Sequence, residues 1–495
     1  MSEHLPVLLV VVPLLAAPLA ALVRSPRLSW GVALGASWWA LYAAWELVQQ
    51  VQAGGVISYA IGGWPAPFGI EYRIDVVNAF VALIVAGIGA VVTPYAMKSV
   101  EREVEADRVS LFYAAWILCM TGLLGITVTG DVFNVFVFLE ISSLSAYALI
   151  ALGQDRRALT SSYRYLIMGS VGATFIVIGI GLMYAMTGTL NMMDLADKLP
   201  AVMHTRTIPV AFAFLTVGFS LKLALFPLHL WLPNAYTFAP SSVTAFMAST
   251  ATKVAVYMML RFFFTVFGAG FAFDSMQVDR ILLPLALVAI LSMSMVAIHQ
   301  PNAKRLLAYS SVAQIGYIVL GISLASVTGL TGGIIHLFNH AVMKGALFLA
   351  LGCVFYRVGS VEIEAMRGLG RKMPWTMAAF VGGGLSLIGV PLTVGFISKW
   401  YLVLGALEQG LWWVAFLVVI ASLMAVVYIW KIVEVAYFQS FPGGDDDTSV
   451  REAPLALLAP TWVLVLASFW FGIDASLTTE LASTAARLLL GGVTP

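Results

Sequence analysis

The chain has 495 residues, 61% of them hydrophobic and only 10% charged, with a net charge of +1 and a mean hydropathy of +0.95. A soluble protein of this size needs a charged exterior that these residues cannot supply, so the chain reads as a polytopic membrane protein. The near-zero net charge gives no hint of nucleic-acid binding, and Cys119 and Cys353 form no CxxC pair from which a disulfide, metal or iron–sulfur framework would follow.

A spanning helix needs roughly 20 apolar residues. About fourteen such stretches follow one another, starting near residues 5, 29, 75, 109, 131, 164, 208, 240, 281, 305, 328, 374, 411 and 455. The first, Leu5 to Val23, follows Met-Ser-Glu-His with no positive segment and no clear cleavage site, so a retained span is expected. The fold expected is all-α. The seventh stretch carries Pro227 and the twelfth carries Gly389-Val390-Pro391, and proline opens the preceding turn of a helix. Freed carbonyls are tolerated at membrane depth only where protein or water satisfies them. Two broken helices five apart predict an internal inverted repeat, helices four to eight and nine to thirteen, with its site at the breaks. The chain divides accordingly into residues 1–108 (helices one to three), 109–405 (a translocating core) and 406–495 (the last two helices). Lysine and arginine placement sets orientation. With the amino terminus outside, fifteen basic residues fall on inner loops, Arg24 and Arg451 among them. Only five (Arg73, Lys198, Arg206, Arg280 and Arg487) then lie outside, so both termini are expected outside. The Asp445-Asp446-Asp447 run reads as a solvated connector on the inner side.

Five charged residues lie inside apolar stretches: Glu140, Lys222, Lys253, Lys344 and Lys399. A charge near the bilayer centre costs a few kcal/mol on insertion scales, and such residues usually line a polar path. Glu140 is nine residues past Asp131, about 13 Å into the bilayer at 1.5 Å per residue. Its natural partner is Lys222. Lys253 sits thirteen residues into the eighth stretch, too deep for easy snorkelling. Desolvation makes a lysine readier to release its proton, which suits both residues to transfer. His336, His340 and Lys344 recur every fourth residue with Asn339 beside them, one helical face of groups able to pass protons. A metal reading of the two histidines lacks an accompanying carboxylate or cysteine. Lys399 follows the break at Pro391 and suits a last accepting position. His229 either gates or caps the seventh-helix break. Lys431 and Glu434, three apart, are expected to form a local ion pair. Asp75, Glu46 and Arg261 read as structural or interfacial. No Walker A loop, HExxH or GxSxG is present, and Gly382-Gly383-Gly384 lies inside an apolar stretch. No cofactor site or chemical active site is expected, so a transporter subunit is expected rather than an enzyme.

Taken together, Phe136–Glu140, Lys222–Pro240, Lys253, His336–Lys344 and Gly368–Lys399 resemble the antiporter-like membrane subunits shared by respiratory complex I, membrane-bound hydrogenases and Mrp-type cation/proton antiporters. The loops Gly62–Ile70 and Gly188–Leu195 are most similar to those of the D-type subunits of Mrp antiporters. The resemblance implies fourteen core helices in two inverted five-helix repeats. It also implies Glu140 and Lys222 as the ion pair of a first half-channel and Lys253 as a connecting lysine. His336, His340 and Lys344 would be a central relay and Lys399 a terminal lysine. Partner membrane subunits in a cell membrane, protons and Na+ as transported ions, and no cofactor are implied as well. The expected function is proton translocation within a multisubunit Na+/proton antiporter. The alternatives are a proton-pumping subunit of a quinone- or hydrogenase-linked enzyme, a stand-alone organic-solute transporter, and a non-transporting scaffold.

Overall fold

The computed structural model describes residues 2–23, 25–442 and 450–491. Arg24 and the Asp445–Asp447 run lie outside the described residues. In chain order the elements are α1 (Leu5–Leu22), α2 (Pro26–Gly54), β1 (Ile57–Ala60), β2 (Glu71–Ile74), α3 (Val76–Glu103), α4 (Val109–Val128), α5 (Val132–Ala151) and α6 (Arg156–Thr187). Then come α7 (Met192–Val202), α8 (Thr207–Leu223), α9 (Trp231–Phe238), α10 (Ser241–Leu260), α11 (Asp279–Ile298), α12 (Ala303–Ser323) and α13 (Val327–Val358). The single-turn α14 (Leu369–Lys372) precedes α15 (Pro374–Ile388), α16 (Val394–Glu408), α17 (Trp412–Phe438), α18 (Leu455–Ile473) and α19 (Ser476–Leu489).

Among the described residues, eleven helices are long and apolar enough to cross a membrane. Adding α2 and the two interrupted pairs, α8–α9 and α15–α16, gives the fourteen expected spans. Between the adjoining fourth and fifth spans, Asp131 accepts the Asn134 backbone N–H at 2.7 Å and caps α5. Asp75 and Asn78 form a reciprocal capping box at the start of α3. Five helices per unit is an odd number, so the second unit enters from the opposite side. This makes the two repeats inverted.

Both interruptions fall where proline and glycine predict them. α8 ends at Ala224, which is left-handed (φ 60°), and Pro227 lies in the turn before α9. α15 ends at left-handed Gly389 (φ 89°), and Leu392 (φ 72°) turns the chain into α16. At the second break the half-helices approach so closely that a Cβ on Gly395 would lie 1.8 Å from the Ser386 carbonyl oxygen. Gly382, Gly383 and Gly384 lie within α15 and pack against Val465, Leu347 and Ile429. They are packing glycines, not a phosphate loop.

The most buried helices are α10 and α12, followed by α3, α4 and α13. α1, α6 and α17 are half exposed, as peripheral spans should be. An antiparallel hairpin, β1–β2, lies between the second and third spans with Ile57 opposite Ile74, an element not expected from the sequence. By helix parity it shares one face with α7 and α19. Backbone bridges Tyr72–Thr129 and Asp131–Asn191 tie that face together, while Val104–Gly153 and Asn302–Glu362 tie the other.

Candidate functional site

The first half-site joins α5 and α8. Lys222 Nζ lies 3.9 Å from Glu140 Oε1 and donates to Ser143 Oγ at 2.9 Å. Ser143 is three residues after Glu140, so one face of α5 presents both groups to the lysine. Lys222 is buried, whereas the Glu140 side chain is 30% exposed on the flank of the bundle. Glu140 Oε1 accepts no hydrogen bond among the described residues. Lys222 is not needed to satisfy its own helix break. Leu225 donates its N–H to Ser220 O (2.9 Å) and the Trp231 indole N–H donates to Leu221 O (3.0 Å). A small cavity of about 30 Å³ lies beside Lys222, bounded by Ser142, Ser143 and Tyr165 and by the α10 residues Ala251 and Ala255. One water needs roughly 10–15 Å³ by this measure, so the space can hold water between Lys222 and α10.

α10 carries Lys253, which is fully buried and donates to the Ala248 carbonyl and, at 3.5 Å, to Thr252 Oγ1. Among the described residues no carboxylate lies within ion-pair distance of it. α13 carries the central row. Lys344 donates to Leu307 O (2.9 Å) and to Ser310 Oγ on α12. One turn back, His340 has no hydrogen-bond partner on either ring nitrogen among the described residues. Its ring stacks on that of His336 with centroids 6.0 Å apart. His336 places Nδ1 2.7 Å from Ser398 Oγ and Nε2 2.9 Å from Gln314 Oε1. These partners hold the ring by hydroxyl and amide, and no cluster of metal-ligating groups accompanies it among the described residues. Asn339 Nδ2 donates to Val394 O at 2.5 Å, pinning α13 to the start of α16.

Ser398 is followed by Lys399, whose Nζ donates to Leu387 O (3.1 Å) and Ile388 O (2.8 Å), the last carbonyls of α15. It also lies 5.1 Å from the centre of the Tyr317 ring. Lys399 therefore caps the broken helix, with Pro391 in the gap it spans. The structure thus brings Glu140 to Lys222 across α5 and α8 and His340 to His336 and Ser398 across α13 and α16, while Lys253 lies on α10, which packs against α13 where Ser249 meets Gly345. His229 was expected to gate or cap the seventh-helix break. That residue is buried in the α8–α9 break, stacked on Phe226 at 5.4 Å, with Nδ1 unpartnered among the described residues and no hydrogen bond to Lys222.

One reading is corrected. Lys431 forms no ion pair with Glu434; it donates to Ile298 O (3.1 Å) and Gln300 O (3.0 Å). The free carbonyls and negative end of α11 are the better partner for an ammonium. Asp75 and Arg261, expected to be structural or interfacial, form one buried pair at 2.5 Å. The partners Ser143, Gln314, Ser310, Tyr317 and Ser398 were not anticipated. Ser398, adjacent to Lys399, and Ser143, three residues from Glu140, carried the only available signal.

Polar vestibules lie at both ends of the bundle. On the loop face a cavity of about 410 Å³ is bounded by Glu103, Asp155, Arg157, Lys304 and Glu362. There Glu103 accepts from the Ser241 backbone N–H (2.9 Å), and Lys304 donates to Ala239 O at the end of α9 (3.2 Å). The Arg157 hydrogen bonds hold the Asp155 carboxyl below its usual range. On the hairpin face a cavity of about 450 Å³ is bounded by Arg73, Asp75, Thr129, Tyr257 and Arg261.

Fold and site together define an antiporter-like membrane protein of the Mrp or complex I type, built to work beside other membrane subunits. The chain belongs to the family described as NADH:quinone oxidoreductase/Mrp antiporter, transmembrane, which it matches over residues 129–425. It is 42% identical over 478 residues to the N subunit of NADH-quinone oxidoreductase from Desulforudis audaxviator, covering 94% of each chain. It is 30% identical over 446 residues to the D subunit of the Na(+)/H(+) antiporter from Bacillus subtilis, covering 90% of this chain and 88% of that one. A chain of the Mrp complex from Dietzia sp. superposes with a TM-score of 0.89 at 26% identity, covering 99% of this chain and 97% of that one.

Proposed function

We propose that this chain translocates protons along the row Glu140, Lys222, Lys253, Lys344, His340, His336 and Lys399. The observation carrying the reading is the Lys222–Glu140 contact at 3.9 Å, beside a cavity that leads to α10. With the pair closed, the carboxylate holds the proton on Lys222. Opening the pair removes that countercharge, and the proton moves inward toward Lys253. Unit charges about 4 Å apart interact by about 4 kcal/mol at an effective dielectric near 20, more than enough to redistribute a proton between lysines. From Lys253 the path runs to Lys344 and the two stacked histidines. The Tyr317 ring, 5.7 Å from that of His336 and 5.1 Å from Lys399 Nζ, then brings the proton's last step to Lys399, which opens toward the far side. Both termini lie outside in this scheme, and the chain resides in the cell membrane. The partly exposed Glu140 on an otherwise apolar flank suits a chain packed against another membrane subunit.

In an Mrp-type host this proton flux drives outward Na+ export through partner subunits. A second host, a redox-driven proton pump, is favoured by the 42% identical relative from an NADH-quinone oxidoreductase. Copurification from the native membrane separates them. Small multi-span partners indicate the antiporter, whereas iron–sulfur partners indicate the pump. For the relay itself, Glu140→Ala and Lys222→Ala should each abolish coupled proton movement in inverted vesicles while leaving the complex assembled. Retained transport in both would sink the scheme.

A further inference from the structure

α10 bears a second polar line that shares only Lys253 with the relay. From Ser249, next to Gly345 of α13, the face continues through Lys253 and Tyr257 to Arg261, each four residues on. Lys253 to Arg261 is eight residues, about 12 Å along the axis, which carries the line from mid-depth to the hairpin-face cavity. At the other end of α10, Glu103 caps Ser241 in the loop-face cavity. One helix therefore links both vestibules through a proton-carrying lysine. Left open, it would pass protons straight across without involving α13 or Lys399, and coupling would be lost.

Arg261 stands at the outer end of this line. Its Nη2 pairs with Asp75 at 2.5 Å, its Nε donates to the Tyr257 hydroxyl at 3.1 Å, and its Nη1 donates to Thr265 at 3.4 Å. Asp75 is itself fixed by the Val77 backbone N–H at 2.8 Å. Tyr257 directs its own proton to the Thr127 carbonyl at 3.0 Å, away from Lys253. Immediately beyond, α10 widens into a π-helical turn, Arg261–Val266, a distortion found often at functional sites. A guanidinium stays charged and only donates hydrogen bonds, so it can neither accept a proton nor tolerate a second cation beside it. Fixed cations of this kind exclude protons from pores.

We propose that Arg261, clamped by Asp75 and Tyr257, is an electrostatic stop that closes the hairpin-face end of the α10 polar line and directs the Lys253 proton sideways to Lys344 and His340. This rests on the relay reading above. It makes Arg261 a positioning residue for the proton route rather than a member of it.

The test is passive decay of an imposed pH gradient in proteoliposomes holding the whole native complex, with no coupling cation present. Arg261→Gln combined with Asp75→Asn neutralises both charges, keeps the cap of α3, and leaves no unpaired charge buried. Decay should become roughly tenfold faster, the factor that each ~1.4 kcal/mol of barrier carries. Arg261→Lys, which keeps the cation, should remain tight. Adding Lys253→Ala to the double variant should restore tightness. An assembled double variant that stays tight overturns the stop, as does a leak of equal size in Arg261→Lys. Tyr257→Phe, the mildest change, should exchange at the wild-type rate. Lost exchange without any faster gradient decay in an assembled Tyr257→Phe complex would make the line a working exit and overturn the stop as well. Full exchange in Lys253→Ala alone would instead overturn the relay, so the two failures are distinguishable.

Discussion

The two broken helices solve the same problem with opposite use of their lysines. In α8–α9 the lysine precedes the break, and the freed carbonyls are answered by backbone N–H groups and the Trp231 indole. Lys222 is left free to face a carboxylate and a hydroxyl on α5. In α15–α16 the lysine follows the break and reaches back to cap Leu387 and Ile388, with no carboxylate in contact among the described residues. The first lysine can be switched by moving a countercharge. The second is held by the negative end of a half-helix, a partner that cannot be removed without unwinding the break. Inverted repeats therefore need not share chemistry: in the proposed relay one break would host a switch and the other a receiver.

Replacing each lysine with methionine breaks the comparison most sharply. Both variants should lose coupled proton movement. Their stabilities should differ, because Lys222→Met removes one hydrogen bond to a serine and a 3.9 Å contact to the partly exposed Glu140, while Lys399→Met strands two buried carbonyls. An unsatisfied buried group costs about 1–3 kcal/mol. The thermal midpoint of the purified complex should therefore fall further for Lys399→Met than for Lys222→Met. Equal midpoints would mean that Lys399 is not the cap the geometry makes it.

The breaks themselves and the buried charged residues beside them were legible in the sequence, and for one reason. Proline, glycine and charge are all costly inside an apolar span, so each stands out wherever it occurs. What holds those residues was not legible. Ser143, Ser310 and Ser398 look like the many serines that simply bond back to their own helix, as Ser142 and Ser145 do here. The Asp75–Arg261 pair joins residues 186 apart in the chain, and each alone resembles an interfacial anchor. Lys431 and Glu434 misled in the opposite direction. Sequence proximity offered a partner, and a helix end from elsewhere in the fold proved the stronger one.

A smaller effect separates the breaks by packing. Only the second depends on a glycine at the contact between half-helices. Gly395→Ala places a methyl group on the Ser386 carbonyl, a backbone atom that cannot swing aside. Overpacking of this kind costs roughly 1–3 kcal/mol. It should displace α16, and with it the Ser398–His336 bridge, so exchange should fall severalfold while the Lys222–Glu140 half remains intact. A crosslink between cysteines placed at the α5–α8 contact should form as readily in Gly395→Ala as in the parent. Loss of that crosslink would show that the halves do not fail independently.

The smallest expected effect tests whether depth, rather than the contact itself, gives Lys399 its weight. Lys431 makes the same pair of bonds to carbonyls at the end of α11, but near the loop face and only part-buried. Water can replace an ammonium there, so Lys431→Ala should cost no more than the usual ~0.3–1 kcal/mol of a charge at an exposed helix end. Exchange should be unchanged. Glu434→Ala should do nothing measurable to the midpoint, since no ion pair joins the two residues. A midpoint loss in Lys431→Ala as large as that in Lys399→Met would remove burial as the explanation. The contrast between the two breaks would then have to rest on the countercharge at Glu140 alone.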